Sequence, residues 1–290
     1  MHAEVSAGVK SLMTVRKALR AARQALASSE STDLDTQVLL SHALGVDRTF
    51  LFAHPEKDLT DGQHEAFQSA VARRAVGEPI AYIIGAKGFY DLDLLVTPAV
   101  LIPRPETELL LEEALRLTEG GPSLTVADIG TGSGALAVTY ARHRPTAKVY
   151  ATEISGDALR IARRNADAVG AKVAFFEGDL AEPLIERGIQ IDLLMANLPY
   201  IASAELAVLE VSRFEPRLAL DGGADGLDAI RRLLTRIPAV GRAGAHVLLE
   251  IGAEQGEAVA DLVRDRLGAH CDILQDYAGL DRIARFRLSA

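Results

Sequence analysis

The chain has 290 residues, of which 49% are apolar, so it is long enough to bury the core of one large or two ordinary domains. Its formal net charge of −9 argues against duplex nucleic acid as the main substrate, because an acidic surface repels phosphate backbones. Cys271 is the only cysteine, which excludes a disulfide framework and a cysteine zinc site. No apolar run approaches the ~18 residues of a membrane span. These features indicate a globular cytoplasmic protein.

The first part of the chain has the pattern of a helical domain. Apolar residues recur at near-helical spacing over residues 9–26, and Thr32 with Asp35 resembles a capping box that opens a second helix. A third helix is predicted between residues 60 and 77. Residues 1–78 therefore predict a small all-helical domain, either a structural cap or a partner-recognition domain. The basic start also has features of an organellar transit peptide, but the helical pattern continues directly from it.

A short connecting region follows. The apolar pattern changes to period two over residues 85–96, which predicts a hairpin. The segment 102–108 has prolines that exclude a strand interior and acidic residues that suit the first turn of a helix. Its Arg104 is either an ordinary surface charge or a cation that the rigid double-proline setting aims at a ligand. We therefore assign residues 79–105 to a hairpin and linker, and residues 106–290 to a second domain.

Strand-like apolar runs alternate with helical stretches in the second domain, and two more such runs end the chain. The runs cover residues 124–129, 147–152, 172–177, 191–196, 244–251, 271–274 and 283–288. Alternation of this kind predicts a mostly parallel sheet with helices on both faces. Because ligands of such sheets bind outside the carboxyl ends of the strands, the residues that follow each run are candidates for a functional site.

A glycine-rich turn follows the first of these strands. Gly130, Thr131, Gly132, Ser133 and Gly134 lie between this strand and its helix. Glycine lets the backbone approach a ligand closely, and a helix N-terminus presents free N–H groups, so a nucleotide-like cofactor is expected. The glycine spacing also satisfies a dinucleotide motif, so the loop alone leaves NAD as an alternative.

Polar residues follow the next strands. Glu153 is expected to accept hydrogen bonds from ribose hydroxyls. Asp179, next to Leu180, is placed to meet an adenine edge, or else it caps the helix that follows. Asp128, two residues before the first glycine, and the tetrapeptide at residues 197–200 together favour S-adenosylmethionine over NAD.

Further segments carry a resemblance to a known family. They are Leu34-Asp35, Leu39-Leu40, residues 77–82, residues 101–108, Arg213-Phe214-Glu215-Pro216, Ala219-Leu220 and residues 222–227. With the glycine loop and the tetrapeptide, they resemble the HemK/PrmC family of peptide-chain release factor glutamine methyltransferases over nearly the whole chain. The resemblance implies an α/β fold: a class I methyltransferase domain, Rossmann-like with a seven-stranded, mostly parallel sheet, behind the small N-terminal all-helical domain. It implies S-adenosyl-L-methionine as the cofactor.

The resemblance also implies a substrate and the residues that act on it. The methyl acceptor would be the glutamine amide in the Gly-Gly-Gln motif of class 1 release factors. The side-chain oxygen of Asn197 and the main-chain carbonyl of Leu198 would accept hydrogen bonds from this amide, while Tyr200 lies against it and Pro199 fixes the turn. Arg104 joins the substrate site. The expected cofactor-binding residues are Gly130, Thr131, Gly132, Ser133, Gly134, Glu153, Asp179, Leu180 and Asn197.

The sequence departs from the family at one catalytic position. The family tetrapeptide is Asn-Pro-Pro-Tyr, and this chain has Leu198 in place of the first proline. Leucine keeps the backbone carbonyl but loses the fixed φ of proline, so a slower but competent enzyme is expected. Downstream, Arg213 and Glu215 form either a surface ion pair or part of a loop that closes over the site.

Three other functions share part of this pattern. A ribosomal-protein glutamine methyltransferase would have the same catalytic domain. A DNA adenine methyltransferase uses the same tetrapeptide on an exocyclic amine, but it should show a basic face and a target-recognition region, which the sequence lacks. A non-catalytic binding protein is allowed by Leu198. The sequence thus predicts a monomeric cytoplasmic enzyme that acts on a release factor without direct contact to nucleic acid or membrane.

Overall fold

The computed structural model describes residues 13–120 and 123–289, and the chain divides into two compact units. The first unit ends at Ile84 and the second begins at Gly85. The predicted helical positions before residue 13 lie outside the described residues. No helix in the described ranges is long and apolar enough to cross a membrane.

The helical unit is built from short helices around one apolar core. In its described residues these are α1 (Val15–Ala25), α2 (Thr32–Leu44), α3 (Arg48–Ala53), α4 (Asp61–Ala75) and α5 (Ile80–Ile84). The helices expected before residue 45 and after residue 60 correspond to α1, α2 and α4, and α4 begins at a capping box of Thr60 and Gln63. Residues 80–84 are helical and belong to this unit, although the sequence placed them in the linker.

The capping box predicted at Thr32 and Asp35 is wrong. The Thr32 hydroxyl donates instead to the main-chain carbonyl of Ser29, at 2.8 Å. Asp35 is only 4% exposed and accepts hydrogen bonds from Arg74 Nε at 2.7 Å and from the hydroxyls of Ser29 and Ser31 at 2.8 Å each. This carboxylate therefore joins α2 to α4, a contact that a local sequence pattern does not contain.

The second unit contains a small hairpin and a large sheet. The hairpin consists of β1 (Ala86–Phe89) and β2 (Leu92–Leu95), within the region predicted for it. The large sheet contains β3 (Thr125–Ile129), β4 (Lys148–Glu153), β5 (Val173–Glu177), β6 (Ile191–Ala196), β7 (Gly241–Glu250), β8 (Cys271–Gln275) and β9 (Asp281–Arg287). Its strand order is 5-4-3-6-7-9-8, and β9 alone among these strands runs antiparallel to both its neighbours. The predicted seven-stranded, mostly parallel sheet is confirmed.

Helices cover both faces of this sheet. They are α6 (Glu106–Leu117), α7 (Ala135–His143), α8 (Gly156–Val169), α9 (Glu182–Ile185), α11 (Asp228–Val240) and α12 (Gly256–Leu267). The short α10 (Ser203–Leu206) lies in the loop after β6. Because successive strand residues point to opposite faces, β6 contributes to two cores. Leu193 and Met195 pack in the cluster that includes α6 and α7, whereas Leu194 and Ala196 pack in the cluster that includes α11 and α12.

The strand order places the functional loops together. The chain proceeds from β3 outward to β5 on one side and then returns to β6, which pairs with β3 on its other side. Such a reversal leaves a crevice between the carboxyl ends of the two central strands. The loops that follow β3, β4, β5 and β6 all meet at this edge.

Candidate cofactor and substrate site

A cavity of about 700 Å³ opens at the carboxyl edge of the sheet. Most of the predicted site residues line it: Arg104, Gly130, Thr131, Gly132, Ser133, Glu153, Asp179, Leu180, Asn197, Leu198 and Pro199. Gly134 and Tyr200 are the predicted residues that do not line it. The fold therefore brings together side chains that are far apart in the sequence.

The three glycines of the loop have different surroundings. Gly130, Gly132 and Gly134 all have positive φ, at 73°, 55° and 85°. A Cβ atom on Gly134 would lie 2.9 Å from a methyl of Val138, and one on Gly130 would lie 2.9 Å from Cδ2 of Leu198. A Cβ on Gly132 would meet nothing within 4 Å. Gly134 and Gly130 thus allow tight packing, whereas Gly132 borders the open cavity.

Asp128 braces this loop from below. Its buried carboxylate accepts hydrogen bonds from the Thr131 hydroxyl at 2.6 Å and from the main-chain N–H of Ala137 at 3.1 Å. Burial raises the pKa of Asp128 to about 6, although both hydrogen bonds act to lower it. The side chain therefore ties the strand end to the first turn of α7.

Glu153 is also engaged with the backbone around the cavity. Its Oε2 accepts from the N–H of Gly132 and its Oε1 from the N–H of Ser155, each at 2.9 Å. A carboxylate has about four acceptor sites, so two stay available. The expected ribose contact stays a prediction, and this geometry leaves acceptors for it.

The turn after β5 is tight and polar on one side. Leu180 has φ of 48°, a conformation that is uncommon for a side chain other than glycine. The carboxylate of Asp179 forms an ion pair with Arg232. Its alternative role as a helix cap is wrong, because α9 has no side-chain cap. The adenine contact stays a prediction.

Asn165 on α8 supports the glycine loop, and the sequence analysis did not identify it. Its buried Nδ2 donates to the carbonyl of Ser133 at 2.8 Å and to that of Leu95 at 3.0 Å, while Oδ1 accepts from the N–H of Leu95 at 2.7 Å. One amide thus joins the loop to the end of β2. The only sequence signal is an asparagine on the apolar face of an amphipathic helix.

The tetrapeptide after β6 is held by side chains from α6, from β7 and from the turn before α12. Asn197 Nδ2 donates to Thr107 Oγ1 at 3.0 Å, and the Tyr200 hydroxyl donates to Glu250 Oε1 at 3.3 Å. Gln255 Nε2 donates to the main-chain carbonyl of Tyr200 at 2.9 Å. Leu198 is buried and belongs to the core that includes α11 and α12. Asn197 is therefore fixed through its nitrogen.

Two glycines let another loop lie against the tetrapeptide. A Cβ on Gly222 would lie 2.7 Å from the carbonyl oxygen of Pro199, and one on Gly226 would lie 2.2 Å from that of Tyr200. Neither position has room for a side chain, because the obstacle is backbone. The segment 222–227, which carried part of the family resemblance, thus keeps the tetrapeptide backbone in place.

Arg104 is paired across the cavity rim. Its Nη2 donates to Oε1 of the buried Glu215 at 2.6 Å, and Oε2 of Glu215 accepts from the N–H of Ile102 at 3.1 Å. The alternative of a surface ion pair between Arg213 and Glu215 is therefore wrong. The Arg213 guanidinium lies instead over the ring of Phe214, 5.4 Å from its centroid.

Comparison with known proteins follows the same division of the chain. Residues 17–85 match the PrmC N-terminal domain, and residues 105–214 match the methyltransferase small domain. The release factor glutamine methyltransferase of Moorella thermoacetica is 46% identical over 277 residues, which cover 93% of this chain and 97% of the relative. The chain belongs to this family. The relative of the same name from Geobacter sulfurreducens is 42% identical over 281 residues, covering 96% of this chain and 98% of its own.

Solved structures share the fold at lower identity. A methyltransferase from Pyrococcus furiosus has a TM-score of 0.52 at 20% identity, covering 77% of this chain and 98% of its own. The 16S rRNA N2 G1207 methyltransferase of T. thermophilus, solved with AdoMet and guanosine, has a TM-score of 0.53 at 20% identity, covering 71% of this chain and 50% of its own. The predicted class I methyltransferase fold is confirmed.

The residues around the cavity fit a nucleoside cofactor. Gly132 leaves room for a ligand beside the loop backbone. The free acceptor sites of Glu153 suit a diol, and Leu180 with Asp179 offers an apolar and a polar contact for a ring. Thr107, Glu250 and Asn165 were not predicted from the sequence. Thr107 lines the cavity, whereas Asn165 and Glu250 lie outside the lining and bond to Ser133 and Tyr200.

Proposed function

We propose that this chain transfers the methyl group of S-adenosylmethionine to the side-chain amide nitrogen of the glutamine in the Gly-Gly-Gln motif of class 1 release factors. One observation carries the proposal. Asn197 uses its Nδ2 on Thr107, and among the described residues its Oδ1 has no hydrogen-bond partner at the wall of the cavity. An acceptor presented in this way suits a substrate that carries an N–H₂ group.

The residues on one side of the cavity would bind and orient the cofactor. S-adenosylmethionine supplies, when bound, an electrophilic methyl group on a sulfonium. The backbone of the glycine loop would approach this cofactor at Gly132, and Glu153 would accept from its ribose hydroxyls. Asp179 and Leu180 would contact its adenine. The ion pair with Arg232 keeps the carboxylate of Asp179 in place at the rim of the cavity.

The substrate side of the cavity must overcome the weak nucleophilicity of an amide, whose nitrogen lone pair is delocalised into the carbonyl. Asn197 Oδ1 and the main-chain carbonyl of Leu198 would accept from the two N–H bonds and turn the lone pair toward the methyl group. Positioning of this kind can supply up to ~7–11 kcal/mol of the barrier. Tyr200 does not line the cavity wall. Its ring would therefore restrict the rotation of the substrate amide only from the edge of the cavity.

Charge and protons need no further group of the chain. S-adenosylmethionine, held by the glycine loop, Glu153 and Asp179, would supply the methyl carbon and keep the electron pair of its carbon–sulfur bond, and the methylated amide nitrogen would release its proton to water. Arg104 keeps N–H groups beyond its contact with Glu215, and these would donate to main-chain carbonyls of the bound peptide.

Methylation of defined substrates tests the proposal. The protein is incubated with S-adenosylmethionine and, in separate reactions, a class 1 release factor, a ribosomal protein and adenine-containing DNA. We expect a single-methyl mass gain on the Gly-Gly-Gln peptide of the release factor, and a much slower gain with Asn197→Ala. Methylation of the ribosomal protein or the DNA instead would select those alternatives, and no methylation at all would favour a binding protein.

The partner and the setting are part of the same proposal. We infer that the helical unit recognises the release factor, that the enzyme acts as a monomer in the cytoplasm, and that it binds neither nucleic acid nor membrane directly. The match of residues 17–85 to a domain found beside such methyltransferases supports the first point. Light scattering of the enzyme alone and with release factor measures the stoichiometry, and a dimer would contradict the monomer.

A further inference from the structure

Two buried polar side chains, Thr107 and Glu250, support the tetrapeptide. Thr107, in the first turn of α6, is 4% exposed and accepts from Asn197 Nδ2 at 3.0 Å. Glu250, the last residue of β7, is 2% exposed and interacts with the Thr107 hydroxyl. The Tyr200 hydroxyl donates to Oε1 of the same carboxyl at 3.3 Å. Glu250 thus contacts Tyr200 directly and can act on Asn197 only through Thr107.

The direction of these hydrogen bonds follows from the donors available. An ionised carboxylate only accepts, and a threonine hydroxyl has one proton to donate. When Thr107 donates that proton to Glu250, its oxygen can only accept from Asn197. The amide must then present Nδ2 to Thr107 and Oδ1 to the cavity. We propose that Thr107 and Glu250 are positioning residues that fix the amide of Asn197 with its oxygen toward the substrate.

A protonated Glu250 would remove this constraint. Its O–H could donate to Thr107, whose own proton would then be free to point at Asn197. The amide could rotate by half a turn and accept from Thr107 through Oδ1, since its two ends have nearly the same shape. It would then present N–H₂ to the N–H₂ of the substrate, and two donors do not bind each other.

The surroundings of Glu250 favour a mixture of its protonated and ionised forms near neutral pH. Oε2 is buried and has no hydrogen-bond partner among the described residues. Burial raises the pKa of Glu250 to about 7, and Thr107 and Tyr200 only partly oppose this. Of the charged groups that face it, Glu106 on α6 raises the pKa, whereas Arg282 on β9 lowers it. Arg282 is itself paired with Asp276 at 2.8 Å.

Three substitutions in the full-length protein test this positioning of Asn197 by Thr107 and Glu250, which we call the relay. Glu250→Gln keeps the shape but cannot ionise, Thr107→Val keeps the shape but loses the hydroxyl, and Thr107→Ser keeps the hydroxyl. Thr118→Val is the matched control, because Thr118 is a buried threonine at the end of α6 whose hydroxyl donates to the carbonyls of Ala114 and Leu115 and also interacts with Tyr140, away from the cavity. Since this inference rests on the proposed methyl transfer, kcat and KM are measured with release factor as substrate.

The expected kinetic result is a change in kcat and in its pH profile. Below pH 7 the wild-type kcat should fall about tenfold per pH unit, as one group protonates. Glu250→Gln and Thr107→Val should lose about 10- to 100-fold in kcat and lose this pH dependence, with KM for S-adenosylmethionine unchanged. Thr107→Ser should restore most of the rate, and Thr118→Val should behave as wild type. A wild-type profile and rate in Glu250→Gln would overturn the proposal.

A spectroscopic measurement separates this inference from the proposed function. The side-chain amide resonances of Asn197, assigned from their loss in Asn197→Asp, should titrate near pH 7 in the wild type and not in Glu250→Gln. If no substrate is methylated but the resonances titrate, the relay stands and the proposed function fails. If they do not titrate, the relay is wrong, whatever the activity. This measurement also decides the matter if Thr107→Val does not fold.

Discussion

Two buried carboxylates, one in each unit, show what a nearby cation changes. Asp35 in the helical unit and Glu250 in the methyltransferase unit are 4% and 2% exposed, and both interact with hydroxyl groups. Burial raises the pKa of Asp35, but Arg74 at 2.7 Å and two serines outweigh it, so the pKa lies below its ordinary value. Burial raises the pKa of Glu250 to about 7, because Arg282 faces this carboxyl without forming an ion pair with it.

The two shifts have opposite consequences for stability. Asp35, with its lowered pKa, stabilises the native state above its ordinary pKa of 3.8, and this contribution is lost as the pH falls through the lowered value. Glu250 holds its proton in the native state up to about pH 7, whereas the unfolded chain releases it near 4.5. Its ionisation therefore destabilises the native state as the pH rises through that window. A buried carboxylate in an ion pair joins two parts of the structure, whereas Glu250, which Arg282 faces without forming an ion pair, can change its charge near neutral pH.

The largest expected effect comes from removing the ion pair between Arg74 and Asp35. Arg74→Ala leaves the buried Asp35 charged and without its cation, so the free energy of unfolding should fall by about 3–5 kcal/mol. Urea unfolding at pH 7, followed by circular dichroism, measures it. The control is Arg23→Ala, because the ion pair of Arg23 with Asp33 is exposed and should contribute little. Equal losses in both variants would mean that burial does not distinguish the two pairs.

The next effect concerns the site that the other carboxylate supports. Asn197→Ala removes the acceptor presented to the substrate, and kcat should fall by about 10²- to 10³-fold, as for other groups that stabilise a reacting amide or oxyanion. Affinity for S-adenosylmethionine, measured by calorimetry, should stay near the wild-type value. Full turnover by this variant would exclude Asn197 from the mechanism, and lost cofactor affinity would assign it to binding instead.

A third prediction concerns the raised pKa of Glu250, which should make stability depend on pH. The difference in unfolding free energy between Glu250→Gln and wild type should grow in favour of the variant between pH 5 and pH 8, to at most roughly 3 kcal/mol. Taking the difference removes other titrating groups such as Asp128. For contrast, Asp35→Asn should be less stable than wild type throughout this range. A constant difference for Glu250→Gln would show that its pKa is ordinary.

Local sequence patterns predict part of this fold and site. The sheet followed from strand runs, and the place of the cavity from a glycine loop and a tetrapeptide after two of those strands. These signals are local. Thr107 and Glu250 were not identified because their contacts are distant in the sequence: Thr107 lies 90 residues from Asn197, and Glu250 lies 50 from Tyr200. Asp35 was misassigned for the same reason, since Arg74 is 39 residues away.

The smallest expected effect lies at Leu198, where the family tetrapeptide has proline. Its side chain is buried and packs toward Gly130, so Leu198→Pro shortens a core side chain and should lower the free energy of unfolding by about 1–2 kcal/mol. The fixed φ of proline would hold the carbonyl of residue 198 in place, and kcat should rise about two- to fivefold, which corresponds to a barrier lower by about 0.4–1 kcal/mol. Methylation assays with release factor measure the change in kcat, and urea unfolding measures the change in the free energy of unfolding. Leu198→Ala is the control, because it loses the packing without gaining the rigid ring. If Leu198→Pro and Leu198→Ala have the same kcat, rigidity at residue 198 does not limit transfer, and the relay behind Asn197 is sufficient to position the acceptors.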